Sequence, residues 1–176
     1  MKDLTRRKFL QKSSLSAAAL VTANTLKADV ADRFNDRSTQ SQYMGGFAGP
    51  KLPIVRIAII GVGARGPGHL KFAAGLPGTE IVAISDLYED LVKKWTEEIR
   101  KIGKGQRHKN IATYSGDENR WRTMLSEVKP DMVFIATNWS NHAPMAIEAM
   151  NQGAHAFVEV PLALTLAEMW QIVDTS

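Results

Sequence analysis

Residues 54–60 read Ile-Val-Arg-Ile-Ala-Ile-Ile and stop on Gly61-Val62-Gly63-Ala64-Arg65-Gly66. A short β-branched run, apolar at nearly every position, is a strand buried on both faces. A Gly-x-Gly-x-x-Gly run is a weak signal alone, but placed directly after such a strand and opening a helix it gains the context that gives it meaning.

The rest of the body keeps that rhythm. Helix-compatible sequence covers residues 66–74 and ends at Leu76-Pro77-Gly78, before a second strand over 80–85. Residues 88–102 place Leu91, Trp95, Ile99 and Ile102 at helical spacing, with Lys93, Lys94, Glu97 and Glu98 mostly opposite them. Gly103-Lys104-Gly105 closes that helix. Strands are predicted over 111–114, 132–136 and 155–158. Helices are predicted over 117–128, over 144–152 with Pro144 in its first turn, and over 165–174 with Thr165 and Glu168 spaced as a capping box. Strict alternation predicts an α/β fold: a doubly wound parallel sheet of the Rossmann type, with helices on both faces. Trp95, Trp121 and Trp170 read as core residues.

In this context Gly61 permits the tight turn, Gly63 lets a pyrophosphate approach the backbone, and Gly66 lets helix and strand pack closely. The helix N-terminus offers free N–H groups to the phosphates. A plain strand–helix turn is the alternative. Asp86 ends the second strand at the distance from the glycines where a carboxylate accepts hydrogen bonds from adenosine ribose hydroxyls. It would repel a 2′-phosphate, so NAD is the expected cofactor. Arg65 could serve a phosphate, and Asp86 could instead cap the following helix.

Thr137-Asn138-Trp139-Ser140-Asn141-His142 comes after the fourth strand at the carboxyl edge of the sheet, where such folds bind ligands. Read as a polar loop with one large aromatic, it suits a nicotinamide ribose and ring. It could also be a helix start capped by Ser140 or Asn141, with His142 exposed. Glu159-Val160-Pro161 leaves the fifth strand at the same edge; Glu159 could contact a cofactor or sugar hydroxyl, or pair with a lysine.

Composition narrows the remaining classes. The chain has 176 residues and no cysteine, which excludes disulfide scaffolds, thiolate metal sites and a cysteine nucleophile. His69, His108, His142 and His155 lack metal-ligand spacing, so no metal site is expected. The pairs Glu89-Asp90, Glu97-Glu98 and Asp117-Glu118 fall on predicted helix surfaces, where neighbours do not converge as glycosidase carboxylates must. No apolar run reaches the length of a membrane span. The formal charge of +4 is concentrated in residues 1–28, where Lys2, Arg6, Arg7, Lys8, Lys12 and Lys27 face Asp3 alone. The body is therefore close to neutral, and nucleic-acid binding loses its electrostatic basis.

That basic segment has the layout of an export signal: Thr5-Arg6-Arg7-Lys8-Phe9-Leu10, then a mild apolar stretch over 13–23. The arginine pair followed by Phe-Leu resembles a twin-arginine (Tat) signal, which implies passage through the Tat translocon to the periplasm or beyond. Cleavage after Ala23 or after Ala28 fits equally, and a basic helix or tail is the alternative. Residues 29–52 read as a linker, and the cofactor domain is expected over 53–176.

From residue 54 to 174 the chain resembles the N-terminal domain of the glucose–fructose oxidoreductase/inositol dehydrogenase/rhizopine-catabolism (Gfo/Idh/MocA) family. The points of likeness are Gly61-Val62-Gly63, Ala83-Ile84-Ser85-Asp86, Ile135-Ala136-Thr137, Asn141-His142, Gly153-Ala154-His155 and Glu159. Sugar dehydrogenases of that family usually carry Glu-Lys-Pro after the fifth strand; here the middle residue is Val160, which cannot donate a proton. Glu-Val-Pro is similar to glycoside hydrolase family 109, the NAD-dependent α-N-acetylgalactosaminidases, as are the run from Gly61 to His69, Trp139-Ser140-Asn141-His142 and Trp170-Gln171-Ile172-Val173. This resemblance implies a tightly held NAD contacted by Ala64-Arg65, Asp86, Trp139 to His142 and Glu159-Val160. It further implies hydride removal from sugar C3, elimination of the aglycone, water addition at C1 and hydride return. Such proteins have a second α/β domain that supplies the sugar pocket and acid/base residues. That domain is expected to be absent from this chain, which then holds no catalytic residue of its own, binds the glycan only with the missing part, and leaves a face open to homo-oligomer pairing. A sugar oxidoreductase and a non-catalytic NAD-binding fragment remain as alternatives.

Overall fold

The structure, a computed structural model, describes Gly49, residues 51–102 and residues 107–176. The export leader, nearly all of the linker and the Gly103-Lys104-Gly105 helix stop lie outside the described residues. Lys51–Ser176 forms a compact unit. Its strands are β1 (Val55–Ile60), β2 (Thr79–Ser85), β3 (Ala112–Tyr114), β4 (Met132–Ile135) and β5 (His155–Val158). Between and after them run α1 (Gly66–Gly75), α2 (Glu89–Ile102), α3 (Arg120–Val128), α4 (Trp139–Asn151) and α5 (Leu166–Thr175). All strands pair in parallel in the order β3-β2-β1-β4-β5. Sequence order reverses direction between β1 and β4, which opens a crevice at their carboxyl ends.

The apolar run of β1 serves two cores. Ile57 and Ile59 pack with Leu70, Ala73 and Ala74 of α1 and with Val92 and Ile99 of α2. Ala58 and Ile60 face the other way, onto Trp121, Met124 and Leu125 of α3 and Met145, Ala146 and Ala149 of α4. The sheet is thus doubly wound, and period-2 alternation between two buried faces explains why every residue from Ile57 to Ile60 is apolar.

In β2 the alternation breaks: Ile57 pairs with Ile81 but Ala58 pairs with Ala83, leaving Val82 as an extra residue. A bulge flips every later side chain to the opposite face. Ile81 and Ile84 consequently share the α1/α2 core while Ala83 joins the other. Beside the early part of β2, before β3 begins, His108 takes the place of a strand. Its buried ring accepts Ile81 N–H at Nδ1 (2.9 Å), which leaves the proton on Nε2 to donate to Ala74 O (3.1 Å).

At the amino edge of the sheet, Arg56 of β1 caps the end of α3. Its guanidinium donates to Val128 O and Lys129 O, both at 2.8 Å, satisfying carbonyls that have no partner within the helix. The capping box of α5 is present as expected. Thr165 Oγ1 accepts Glu168 N–H, and Glu168 Oε2 accepts the N–H groups of Thr165 and Leu164. Those two backbone bonds hold the Glu168 carboxyl below the ordinary range.

Several expectations are corrected. Helix α4 begins at Trp139, so residues 139–142 are its first turn and not a loop, and Pro144 lies inside the helix. The missing proline N–H deprives only the carbonyl of Ser140, an exposed residue, of its helical donor. The N-cap is Asn138, not Ser140 or Asn141. Helix α3 starts at Arg120 and not Asp117, because Asp117 Oδ1 accepts Asn119 N–H and holds a turn there. On α2 the buried residues are Val92, Thr96 and Ile99; Leu91 and Trp95 are half-buried and Ile102 is exposed. Trp121 is buried, but Trp170 is not a core residue, since α5 has no buried residue and leaves Leu166, Met169 and Val173 exposed.

Candidate functional site

A cleft of about 750 Å³ opens at the carboxyl edge of the sheet, over the point where strand order reverses. Its walls come from the segments that leave each strand: Gly61, Gly63, Ala64 and Arg65 after β1, Asp86 to Tyr88 after β2, Asp117 and Glu118 after β3, Ala136 to Trp139 after β4, and Glu159 and Val160 after β5. Asn141 and His142 of α4 also line it. Of the residues singled out in the sequence, Gly66 and Ser140 do not line the cleft. Gly66 is buried beneath the loop, and Ser140 Oγ donates to Asn138 Oδ1 on the surface.

The three glycines of the loop differ in kind. Gly61 has φ +91°, and a Cβ there would meet Ala136 O at 2.6 Å. A Cβ on Gly66 would fall 1.9 Å from Gly61 O. The fold itself requires these two. Gly63 has no atom within 4 Å of a Cβ position and lines the cleft. Its bareness is of no use to the folded chain and leaves room for a ligand to touch the backbone beside the N-terminus of α1. A diphosphate fits that cradle.

Asp86 braces the loop from the side. Its Oδ2 accepts Val62 N–H at 2.7 Å and its Oδ1 accepts Tyr88 N–H at 3.0 Å. Helix α2 starts at Glu89, so Asp86 fixes the turn before the helix instead of capping it. Each carboxylate oxygen keeps a further lone pair, enough to accept two ribose hydroxyls. Tyr88, Leu91 and Trp121, which sequence reasoning did not place here, add apolar surface suited to a purine. The signal that could have found them is their position just beyond the carboxyl ends of β2 and β3.

His142 is 1% exposed, which removes the reading that left it on the surface. Its Nδ1 lies 2.8 Å from Pro161 O and its Nε2 3.2 Å from Thr137 O. The ring thus sits between the segment after β5 and the segment after β4, and in either neutral tautomer it donates to one of the two carbonyls, the shorter contact being to Pro161 O. Trp139 is the opposite case, largely exposed at the cleft mouth.

Glu159 pairs with a histidine and not with a lysine: His69 Nε2 lies 2.6 Å from its Oε1, while Oε2 accepts Val160 N–H at 3.2 Å. The His69 hydrogen bond foremost, then the Val160 N–H and the charges of His69 and Arg65, hold the Glu159 carboxyl below its usual range against the opposing effect of burial. It stands in the cleft as a carboxylate.

A glycine cradle at a helix N-terminus, a carboxylate after the second strand and a cleft at the strand-order reversal define a dinucleotide-binding Rossmann domain. The oxidoreductase family with an NAD-binding Rossmann fold, Gfo/Idh/MocA, matches residues 55–176. This chain belongs to that family, and its cofactor is NAD. Among curated relatives, glycosyl hydrolase family 109 protein 2 of Akkermansia muciniphila is 42% identical over 97% of the chain. The α-N-acetylgalactosaminidase of Shewanella oneidensis is 40% identical over all of it. The chain spans 38% of the length of each. Among solved structures, myo-inositol dehydrogenase of Lactobacillus casei in complex with NAD(H) and myo-inositol superposes with a TM-score of 0.57 at 27% identity, covering 69% of this chain and 33% of that one. Myo-inositol 2-dehydrogenase of Lactobacillus plantarum gives 0.58 at 26% identity, covering 69% and 32%.

Proposed function

We propose that this chain is the cofactor-binding part of an exported NAD-dependent glycosidase acting on α-N-acetylgalactosaminides. The observation that carries the reading is Glu159-Val160-Pro161 at the cleft edge. A valine stands where a dehydrogenase needs a proton-donating side chain, while the relatives similar along the whole chain bear glycosidase names. Bound NAD supplies a reversible hydride acceptor, so a sugar can be oxidised, lose its aglycone by elimination, add water and be reduced again with no net consumption of cofactor. The chain's own residues have simpler tasks. The loop at Gly63 and the N-terminus of α1 hold the diphosphate, Asp86 orients the adenosine ribose, and buried His142, packed between the segments carrying Trp139 and Glu159, supports them around the nicotinamide end. None of these residues breaks the glycosidic bond.

The full-length gene product should release p-nitrophenol from p-nitrophenyl α-N-acetylgalactosaminide, lose that activity when stripped of NAD, and form no net NADH. Release that is indifferent to NAD would sink the reading. Net NADH formation from a free sugar would favour a sugar oxidoreductase, the reading to which the inositol dehydrogenase likeness lends support.

Export by the twin-arginine route is part of the proposal and rests on Arg6-Arg7 with Phe9-Leu10 and the mild apolar stretch after them. Changing Arg6 and Arg7 together to lysine should leave the protein in the cytoplasm with its leader uncleaved. An unchanged periplasmic yield would refute the route.

A further inference from the structure

His69 has no part in the chemistry proposed for NAD, yet its surroundings are unusually specific. It sits in the first turn of α1, just beyond the glycine loop. Its ring lies parallel to Phe134 of β4, with centroids 6.0 Å apart and planes at 8°. Phe157 of β5 meets it edge-on at 5.6 Å, and the two phenylalanines pack on each other at 4.7 Å. This slot fixes the imidazole plane and delivers Nε2 to Glu159 Oε1 at 2.6 Å. The helix that binds the diphosphate is thus hydrogen-bonded to the far wall of the same cleft, across the ends of two strands.

Charge gives the contact a purpose. A dinucleotide brings two negative phosphate charges into a cleft that already holds the Glu159 carboxylate. The groups facing that carboxylate are His69 from α1, Arg65 from the glycine loop before it, and the N–H of Val160 on its own segment. A carboxylate freed from His69 could swing toward the phosphates, and like charges in a partly desolvated cleft repel.

We propose that His69 is a positioning residue for the cofactor: held between Phe134 and Phe157, it pins the Glu159 carboxylate to the wall of the cleft and keeps it clear of the diphosphate. The proposal rests on the cleft being the NAD site and assigns the residue that readies its acidic wall to receive an anion.

The experiment is an NAD titration of the 176-residue chain by calorimetry, for wild type, His69→Phe, Glu159→Gln and the double variant. Phenylalanine keeps the ring between the two aromatics and removes the donor. His69→Phe should weaken NAD at least fivefold. Adding Glu159→Gln to it should recover affinity, because the unpinned side chain is then uncharged. His69→Gln, which retains an N–H donor, should stay within threefold of wild type. A loss below fivefold in His69→Phe, or no recovery in the double variant, overturns the proposal. A packing role alone predicts neither the recovery nor the rescue by glutamine. Should His69→Phe fail to fold, the comparison of His69→Gln with His69→Ala carries the same fivefold criterion. The pair also has a signature independent of cofactor: long-range proton–nitrogen spectra should place a proton on His69 Nε2 and show tautomer exchange once Glu159 is alanine. If wild type takes up no NAD, the site assignment of the cleft fails, and this spectrum decides the pair by itself.

Discussion

Alanine at Gly66 is expected to destabilise the domain by about 3 kcal/mol, the upper end for overpacking a filled interior. The new Cβ would stand 1.9 Å from the carbonyl oxygen of Gly61, and that oxygen belongs to backbone and cannot rotate aside. Relief requires moving the start of α1 off the end of β1, where Leu70, Ala73 and Ala74 are buried against Ile57 and Ile59. The melting temperature should fall by about 10 °C for that loss. Gly63→Ala provides the contrast. Nothing lies within 4 Å of its Cβ, so stability should stay within about 0.5 kcal/mol of wild type. The added methyl projects into the cleft, however, and NAD affinity should drop by about tenfold, or ~1.4 kcal/mol. Thermal melting and NAD titration of both variants check the pair. Equal destabilisation by the two, or wild-type NAD affinity in Gly63→Ala, would contradict the division of labour assigned to the loop.

The second large effect is expected at Asp86. Its carboxylate accepts Val62 N–H and Tyr88 N–H, lines the cleft, and in the proposed reading accepts the ribose hydroxyls as well. On the proposed placement of NAD, Asp86→Ala therefore removes both a ligand contact and a brace of the loop proposed to hold the diphosphate. Hydrogen bonds to a charged group contribute about 1–3 kcal/mol, so NAD should bind roughly 5- to 150-fold more weakly. Asp86→Asn separates the two contributions. The amide oxygen can still accept Val62 N–H, so the loop should stay braced while the ribose loses its charged acceptor. The asparagine variant should consequently fall between wild type and alanine in NAD affinity, and should no longer repel a 2′-phosphate. Titration with NAD and with NADP reads both effects; undiminished NAD affinity in Asp86→Ala would refute the placement of the ribose.

Much of this is legible in the chain because the relevant signals are local. An apolar run leading into closely spaced glycines is a statement about one strand, one turn and one helix. The carboxylate after β2 comes from counting along the chain. The capping box of α5 needs only Thr165 and Glu168 at the right spacing. The start of α4 departs from expectation for a reason of the same kind. Proline favours the first helical turn, so Pro144 marks a boundary in the sequence, but the helix extends back to Trp139 because only one carbonyl near its exposed start loses a donor.

What the linear sequence determined by itself is the order of the elements, the parallel two-faced sheet and the glycine loop with its acidic companion, since each is encoded in spacing that any local stretch carries. Only the tertiary structure decided which polar groups meet. Residues 69 and 159, 142 and 161, and 81 and 108 are separated along the chain, and they touch because the order of the strands in the sheet brings their elements together. Side-chain hydrogen bonds of this range depend on directions fixed to within about an ångström by packing, and a packed core arises only after every strand has found its neighbour.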